Sequence, residues 1–371
     1  MLGYFKYTDF FLDNFNGIFG ASVPLPHIVL PLAISFFTFQ QIAFLVDTYR
    51  EKASYDFITY ALFVVFFPQL IAGPIVHHKE MMPQFVSKKN LIVNYRNIAA
   101  GVFIFTIGLF KKVVIADTLA LSATHGFDVA ITLTMIEAWA TSLCYTFQLY
   151  YDFSGYCDMA IGAALLFNIK LPINFNSPYK AINIQDFWHR WHITLSRFLR
   201  DYLYIPLGGN RCSKTRLYIN LFIVFLLGGI WHGAGWGFVI WGALHGVAIV
   251  VHRFWHDRGF KMNAILGWFI TFNFVNIAWI FFRAKDMHSA MNVLSGMFMG
   301  EIGGDFPITS KRILIFALAI GIAFCARNSI ELKNRLSPNI FTFALLLLVA
   351  ISSLMLSLYY GDTSEFIYFN F

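Results

Sequence analysis

The chain has 371 residues, of which 58% are hydrophobic and 13% charged, and its formal net charge is +7. Soluble domains carry about 25% charged residues, so this composition excludes an ordinary soluble protein and indicates a polytopic membrane protein. Its basic excess is typical of loops retained on the cytoplasmic side. We expect contacts with membrane lipids and no nucleic-acid partner, because no basic stripe lies on a soluble domain.

The cysteines and histidines show no metal-binding pattern. The four cysteines are scattered without a C-x-x-C pair, which predicts neither a zinc site nor a disulfide framework. His189 and His192 have H-x-x-H spacing, but no acidic or cysteine companions follow at fixed offsets. The sequence therefore predicts no metal and no tightly bound cofactor.

Runs without Lys, Arg, Asp or Glu predict an all-α fold with roughly eight to ten membrane segments. The aromatic and polar start, 1–26, is expected at the interface. No repeat or second domain stands out, so 1–371 is treated as one transmembrane domain. The predicted spans are 28–46, 57–78 (kinked or re-entrant at Pro68 and Gly73), 97–110, 129–151, two within 217–252, 262–282, 313–326 and 340–360.

Residues 186–204 predict an amphipathic helix. At 100° per residue its apolar stripe would hold Phe187, Trp191, Leu195, Phe198 and Tyr202, and its polar stripe His189, His192, Ser196 and Arg200. The polar stripe either faces water at the interface or presents His192 to a substrate. His189 has the weaker case for a function.

The segment from Lys180 to Arg216 holds seven basic residues and two acidic ones, the largest local excess in the chain. The positive-inside rule predicts that it lies at the cytoplasmic face. Arg197, Arg200 and Arg211 could attract the phosphates of a nucleotide-containing donor. Anchoring to anionic lipid head groups explains them about as well.

His232 lies among five glycines in the segment LGGIWHGAGWG, 227–237. A neutral imidazole is a base near pH 7 and can take the proton of a hydroxyl that attacks an acyl carbonyl. The alternative is a hydrogen-bonded core histidine, and Trp231 and Trp236 fit either role. His245 would lie about 220° round an unbroken helix from His232, so core packing is expected for it.

Two acids, Asp152 and Asp158, lie among aromatic residues beside an apolar run. Acids at membrane depth usually face a cavity. An ordinary interfacial loop explains them equally well, and the sequence leaves the two alternatives open.

Several long motifs together resemble the membrane-bound O-acyltransferase (MBOAT) family, in particular its AlgI-type branch, which serves alginate O-acetylation. The resemblance covers nearly the whole chain. The motifs are FWHRWHITLS (187–196), RDYLYIPLGG (200–209), WHGAGW (231–236), PLAISFFTFQ (31–40), FPQLIAGP (67–74), YDFSG (151–155) and FIYFNF (366–371).

The resemblance implies a ring of tilted helices around a funnel-like cavity, with His232 as the catalytic residue and His192 as its companion. The implied donor is acetyl-coenzyme A or another acyl thioester on the cytoplasmic side. The acyl group would pass toward an extracytoplasmic polysaccharide, with a periplasmic acetyltransferase partner completing delivery. The implied location is the bacterial inner membrane.

Two features depart from the family pattern. His189 stands where arginine is common in this branch, which leaves the core motif intact and is expected to alter the local charge. Members of the branch usually begin with further hydrophobic segments, whereas this sequence starts at the aromatic stretch that follows them. The sequence is therefore a shorter member, has a mis-set start or is a fragment, and the domain is expected to lack these N-terminal helices.

We therefore expect an O-acyltransferase with His232 and His192 as catalytic residues. Ser196, Arg197, Arg200, Trp231 and Trp236 are the candidates for binding substrate or donor. Two alternatives remain: a transporter or channel in which the histidines, Asp152 and Asp158 handle protons or solute, and an inactive scaffold that binds a periplasmic partner.

Overall fold

The computed structural model describes residues 2–52, 54–70, 73–303, 309–337, 339–360 and 366–367, and within these ranges it is helical without a strand. The α-helices are α1 (Leu2–Phe19), α2 (Ile34–Glu51), α3 (Phe57–Val65), α4 (His78–Phe85), α5 (Tyr95–Phe110), α6 (Asp117–Thr124), α7 (Met135–Leu166), α8 (Ile184–Arg190), α9 (Ile193–Leu199), α10 (Lys214–His232), α11 (Trp236–Asp257), α12 (Ala264–Arg283), α13 (Met287–Met299), α14 (Ser310–Phe324), α15 (Ser329–Asn334) and α16 (Ile340–Tyr360). The predicted all-α membrane fold is confirmed.

Five described helical stretches are long and apolar enough to cross a membrane: Tyr95–Val129, α10, α11, α12 and Ile340–Leu358. The pair α10 and α11 confirms the two spans predicted within 217–252. The predicted span at 340–360 is confirmed as α16. Five is fewer than the eight to ten membrane segments predicted, because the remaining described helices are shorter or more polar than a simple span.

Two predicted spans near the start differ from the structure. The run 28–46 is helical only from Ile34, because the chain before it is irregular and turns at Ala33, which takes a left-handed backbone with φ 61°. In the run 57–78, α3 ends at Val65 and a 3-10 turn follows at Phe67–Gln69. Pro68 lacks an N–H and cannot continue an α-helix, so the predicted interruption is confirmed.

The core of the protein is built around α7, whose side chains are mostly buried on all sides. Its start is fixed by a capping box in which Thr134 Oγ1 accepts from the Glu137 N–H and Glu137 accepts from the Thr134 N–H. This cap explains the single acid of the predicted span 129–151.

Helices α5 and α7 cross with their backbones in close contact. A Cβ atom on Gly101 would lie 2.7 Å from Gly162 O, and one on Gly108 would lie 2.6 Å from Gly155 O. The glycines repeat every seven residues, or about two turns, on both helices. Small residues at such a repeat let two membrane helices approach closely.

The same crossing holds the two flagged aspartates. After α5 the chain makes a π turn at Lys111–Ala116. Lys111 Nζ lies 2.6 Å from Asp158 and Lys112 Nζ lies 2.8 Å from Asp152. Both acids are buried on a helix, so the interfacial-loop alternative is wrong, and their charges are compensated by lysines.

A Gly162→Ala substitution tests the close crossing. Its methyl group would meet Gly101 O at 2.6 Å and Phe105 N at 2.7 Å, so we expect a loss of about 1–3 kcal/mol in the free energy of unfolding. Gly321→Ala, inside α14 with nothing within 4 Å of its Cβ, is the matched control and should be neutral or slightly stabilising. The thermal unfolding midpoint in detergent measures both, and equal midpoints would contradict the crossing.

Candidate active site

His232 is the last residue of α10 and is buried, with 3% of its surface exposed. The helix ends because Gly233 is extended and allows the ring of Phe238 to pack where a side chain would stand, 2.1 Å from an ideal Cβ. The rings of Trp231, Trp241 and Phe282 surround the imidazole at centroid distances of 4.9 to 5.1 Å. His232 is thus held in an aromatic wall.

One side of this wall opens into a cavity of about 240 Å3. His232 shares it with Lys6 and Asp9 of α1. A larger cavity of about 830 Å3 lies next to it, because Ala234 and Phe238 line both. The candidate catalytic imidazole is therefore buried within the fold but reaches a space that could hold a ligand.

Helix α1 forms one side of both cavities, and the interfacial location expected for 1–26 stays a prediction. Tyr7 OH donates to Ile230 O at 2.9 Å, and Lys6 Nζ donates to Trp231 O at 2.5 Å. These carbonyls belong to the last turn of α10, where no helical N–H can reach them. The side chains of α1 thus complete the end of the helix that carries His232.

The continuous helix predicted over 186–204 is wrong. Helix α8 ends at Arg190, His192 takes a left-handed backbone with φ 43°, and α9 begins at Ile193. The cause lies in a neighbouring loop: Asn174 O accepts from the Ile193 N–H at 3.0 Å, and Asn174 Oδ1 accepts from the Thr194 N–H at 3.1 Å. These long-range hydrogen bonds fix a new helix start.

The break separates residues that the predicted polar stripe placed together. His192 is buried with 0% exposed, whereas His189 is exposed. The Nδ1 atom of His192 lies 3.2 Å from Asn174 Oδ1, and this oxygen also accepts a hydrogen bond from the Thr194 hydroxyl. An acceptor at this position requires the proton on Nδ1, so Nε2 carries the lone pair, and no described residue hydrogen-bonds to it.

The two histidines belong to one aromatic cluster. The ring of Phe36 stacks at 6.4 Å from His192 and contacts Trp231 at 5.6 Å, and Trp231 contacts His232. The structure therefore brings the two predicted catalytic residues into one region.

The candidate donor-binding residues are placed differently. Arg197 pairs with Glu80 at 2.5 Å, and exposed Arg200 pairs with Asp201 at 2.7 Å. Ser196 Oγ donates to Trp188 O at 3.2 Å. None of the three is among the residues that line the His232 cavity. Their assignment to the donor stays a prediction.

The two candidate tryptophans also differ from each other. Trp231 is buried beside His232, whereas Trp236 is exposed, lines the larger cavity and donates to Asn14 Oδ1 at 3.0 Å. His245 is buried and accepts from Trp188 Nε1 at 3.2 Å, which fits the core role expected for it.

Sequence reasoning missed Lys6 and Asn174. The sequence signal that could have pointed to Lys6 is a single lysine within the aromatic stretch at the start of the chain. Asn174 lies in an irregular loop, and no spacing links it to His192. Among the described residues, no group of histidines, cysteines or acids could hold a metal ion.

Comparison with known proteins identifies one family and several bacterial relatives. The model of the membrane-bound O-acyltransferase family matches residues 49–289. Peptidoglycan O-acetyltransferase of Helicobacter pylori is 53% identical over 100% of this chain and 80% of its own length. Probable alginate O-acetylases are 45% identical in Pseudomonas aeruginosa (80% of this chain, 58% of the relative) and 38% identical in Pseudomonas putida (100% and 82%).

His192 gives a test by pH. It lies outside the five candidate spans, and burial lowers its pKa from the usual 6.5 to about 3. Its contribution to stability is complete above pH 6.5 and is lost as the pH falls toward 3, because only the unfolded chain takes up the proton. Asparagine tolerates the left-handed backbone at this position. Between pH 7 and pH 5 the free energy of unfolding of His192→Asn should therefore fall by about 2 kcal/mol less than that of wild type.

Thermal midpoints at the two pH values measure this difference. His256→Asn is the matched control, since His256 is 75% exposed and should follow wild type. Parallel curves for His192→Asn and wild type would contradict a buried neutral imidazole.

Proposed function

Because this chain belongs to the membrane-bound O-acyltransferase family and is an acyltransferase, we propose that it moves an acetyl group from a cytoplasmic thioester to an extracytoplasmic polysaccharide. Acetyl-coenzyme A or another acyl thioester is the donor. The observation that carries the proposal is the placement of His232 at a cavity inside an aromatic wall.

We propose peptidoglycan as the acceptor. The relative named for peptidoglycan O-acetylation is 53% identical over the entire chain, whereas those named for alginate are 45% and 38% identical. These values favour peptidoglycan over the alginate-type acetylation that the motifs predicted. The protein would lie in the inner membrane of a bacterium, and a periplasmic acetyltransferase would complete delivery.

The length of α10 supports an arrangement across the membrane. Its 19 residues rise about 28 Å at 1.5 Å per residue, close to the roughly 30 Å hydrocarbon core. The basic segment that ends at Arg216 therefore lies at the opposite end of α10 from His232. If the positive-inside rule keeps this segment in the cytoplasm, the His232 cavity opens on the acceptor side.

In the proposed reaction His232 removes the proton of an acceptor hydroxyl as its oxygen attacks the thioester carbonyl. The tetrahedral intermediate collapses, re-forms the C=O bond and expels a thiolate, which takes the proton back from the imidazolium. His192 does not line the cavity and would assist His232 from within the aromatic cluster that the two histidines share. The buried aromatic wall excludes water that would otherwise hydrolyse the thioester.

The donor has to enter from the basic side. Arg200 and Arg211 are exposed there, and guanidinium groups suit the phosphates of a nucleotide-containing donor. Arg197 and Arg200 each already hold a carboxylate through two nitrogens, Glu80 and Asp201 respectively, so a phosphate would have to compete with that carboxylate. The protein needs no bound cofactor in this scheme, since the thioester is a co-substrate.

Substitution of His232 tests the base. We expect His232→Ala to lower donor turnover in the presence of acceptor by about 10²–10⁴-fold, the usual contribution of a general base. His256→Ala, at an exposed position, is the control and should keep full activity. Turnover is measured as thiol release by purified protein in detergent. Full activity of His232→Ala would contradict the assignment of His232 as the general base.

The same assay separates the transporter alternative. A transporter would move solute into vesicles without thiol release, and its Asp152 and Asp158 would have to exchange protons although each is paired with a lysine.

A test in cells distinguishes the acceptors. In a strain that lacks its own enzyme, expression of this chain should restore acetyl esters on peptidoglycan fragments, as read by mass spectrometry. Acetyl esters on alginate alone in an alginate-producing host would contradict the acceptor proposed here and leave the acyltransferase chemistry intact.

A further inference from the structure

Lys6 is half-buried at the wall of the His232 cavity. Its ammonium group donates to Trp231 O at 2.5 Å and to Ser35 Oγ at 3.2 Å, and it lies 5.6 Å from the centroid of the Trp231 ring. These contacts come from α10 and α2, so the position of the ammonium is fixed by two helices beside His232.

The charge of Lys6 has no ion-pair partner among the residues that the structure describes. Asp9 lines the same cavity, but its ionic contact is with His27, at 3.9 Å. Buried charges are normally paired, and two lysines of the core, the buried Lys111 and the half-buried Lys112, follow that rule. An ammonium has three donors, and the two contacts to Trp231 and Ser35 leave one for a ligand.

We propose that Lys6 is a further catalytic residue, whose ammonium group stabilises the oxyanion that forms on the acyl carbonyl. This inference rests on the proposed function of His232. When the acceptor oxygen bonds to the carbonyl carbon, the π electron pair of C=O moves onto oxygen and His232 holds the hydroxyl proton. Lys6 donates a hydrogen bond to that oxygen until the C=O bond re-forms and the thiolate leaves.

A fixed cation is suited to this step because the oxyanion exists only during the reaction. A donor held in place before the charge develops pays no reorganisation cost and is worth more in a site that excludes water. The carbonyl oxygen of the ground state carries little charge, so the effect should appear in kcat and leave KM nearly unchanged.

The ionisation of Lys6 adds a readout that a structural role would not give. Helix α1 lies outside the candidate spans, and burial lowers the pKa of Lys6 from 10.5 to about 8. The titratable groups that face it are Asp9 on α1, with its partner His27, and His232 at the end of α10; α2 presents the neutral Ser35. Above pH 8 the wild-type rate should fall by up to about tenfold per pH unit.

The experiment compares Lys6→Met and Lys6→Arg with wild type in the thiol-release assay. Lys6→Met should lower kcat by about 10²-fold or more with KM within about threefold of wild type. Lys6→Arg keeps a charge at every accessible pH and should restore most of the rate without the decline above pH 8. Lys79→Met, at an exposed lysine that pairs with Glu51, is the control and should match wild type.

Three results would overturn the proposal: a Lys6→Met protein with kcat within threefold of wild type, a loss confined to KM, or an alkaline decline that Lys6→Arg retains. If Lys6→Met does not fold, the comparison of wild type with Lys6→Arg tests the proposal, because only wild type should lose activity above pH 8. An inactive His232→Ala beside a fully active Lys6→Met would reject Lys6 alone. A fully active His232→Ala would reject the proposed function.

Discussion

A helix that ends inside a membrane protein leaves its last carbonyl groups without N–H partners, and this constraint shapes the region around His232. Water is scarce at such a place, so side chains from elsewhere must satisfy these groups. Tyr7 and Lys6 of α1 do so by donating to Ile230 O and Trp231 O. The cavity at His232 exists because α1 is held at this helix end and leaves a space beside it.

The second histidine is placed by a different device. A left-handed backbone at His192 ends one short helix and starts the next, and Asn174 holds the new start through its backbone and side-chain oxygens. The consequence is a buried imidazole with a fixed tautomer. A histidine on the regular face of a long helix would have neither the burial nor the fixed proton.

The sequence predicts those parts of the molecule that depend on local pattern. The spans at α10, α11, α12 and α16 follow from apolar runs, and the interruption at Pro68 follows from its missing N–H. The prediction fails where distant residues decide. Periodicity over 186–204 favours one helix, and only the contacts of Asn174, which lies twelve or more residues away, break it.

The candidate site divides in the same way. The motifs identify His232 and His192, but nothing in the spacing of residues links Lys6 to Trp231, from which it is separated by 225 positions. The sequence shows that Asp152 and Asp158 are acids beside an apolar run, but it does not show their lysine partners. A π turn directs the adjacent Lys111 and Lys112 to different acids, Asp158 and Asp152.

These two carboxylates also connect α7 to the far end of the chain. Asp158 accepts from Ser329 Oγ at 2.7 Å, and Asp152 accepts from the Ile367 N–H at 3.0 Å, a residue 215 positions later. The hydrogen bonds of these buried acids on the central helix are therefore completed only after Ser329 and Ile367 have been synthesised. Until then the lysines that follow α5 are the partners that can keep these charges compensated as the helices enter the membrane.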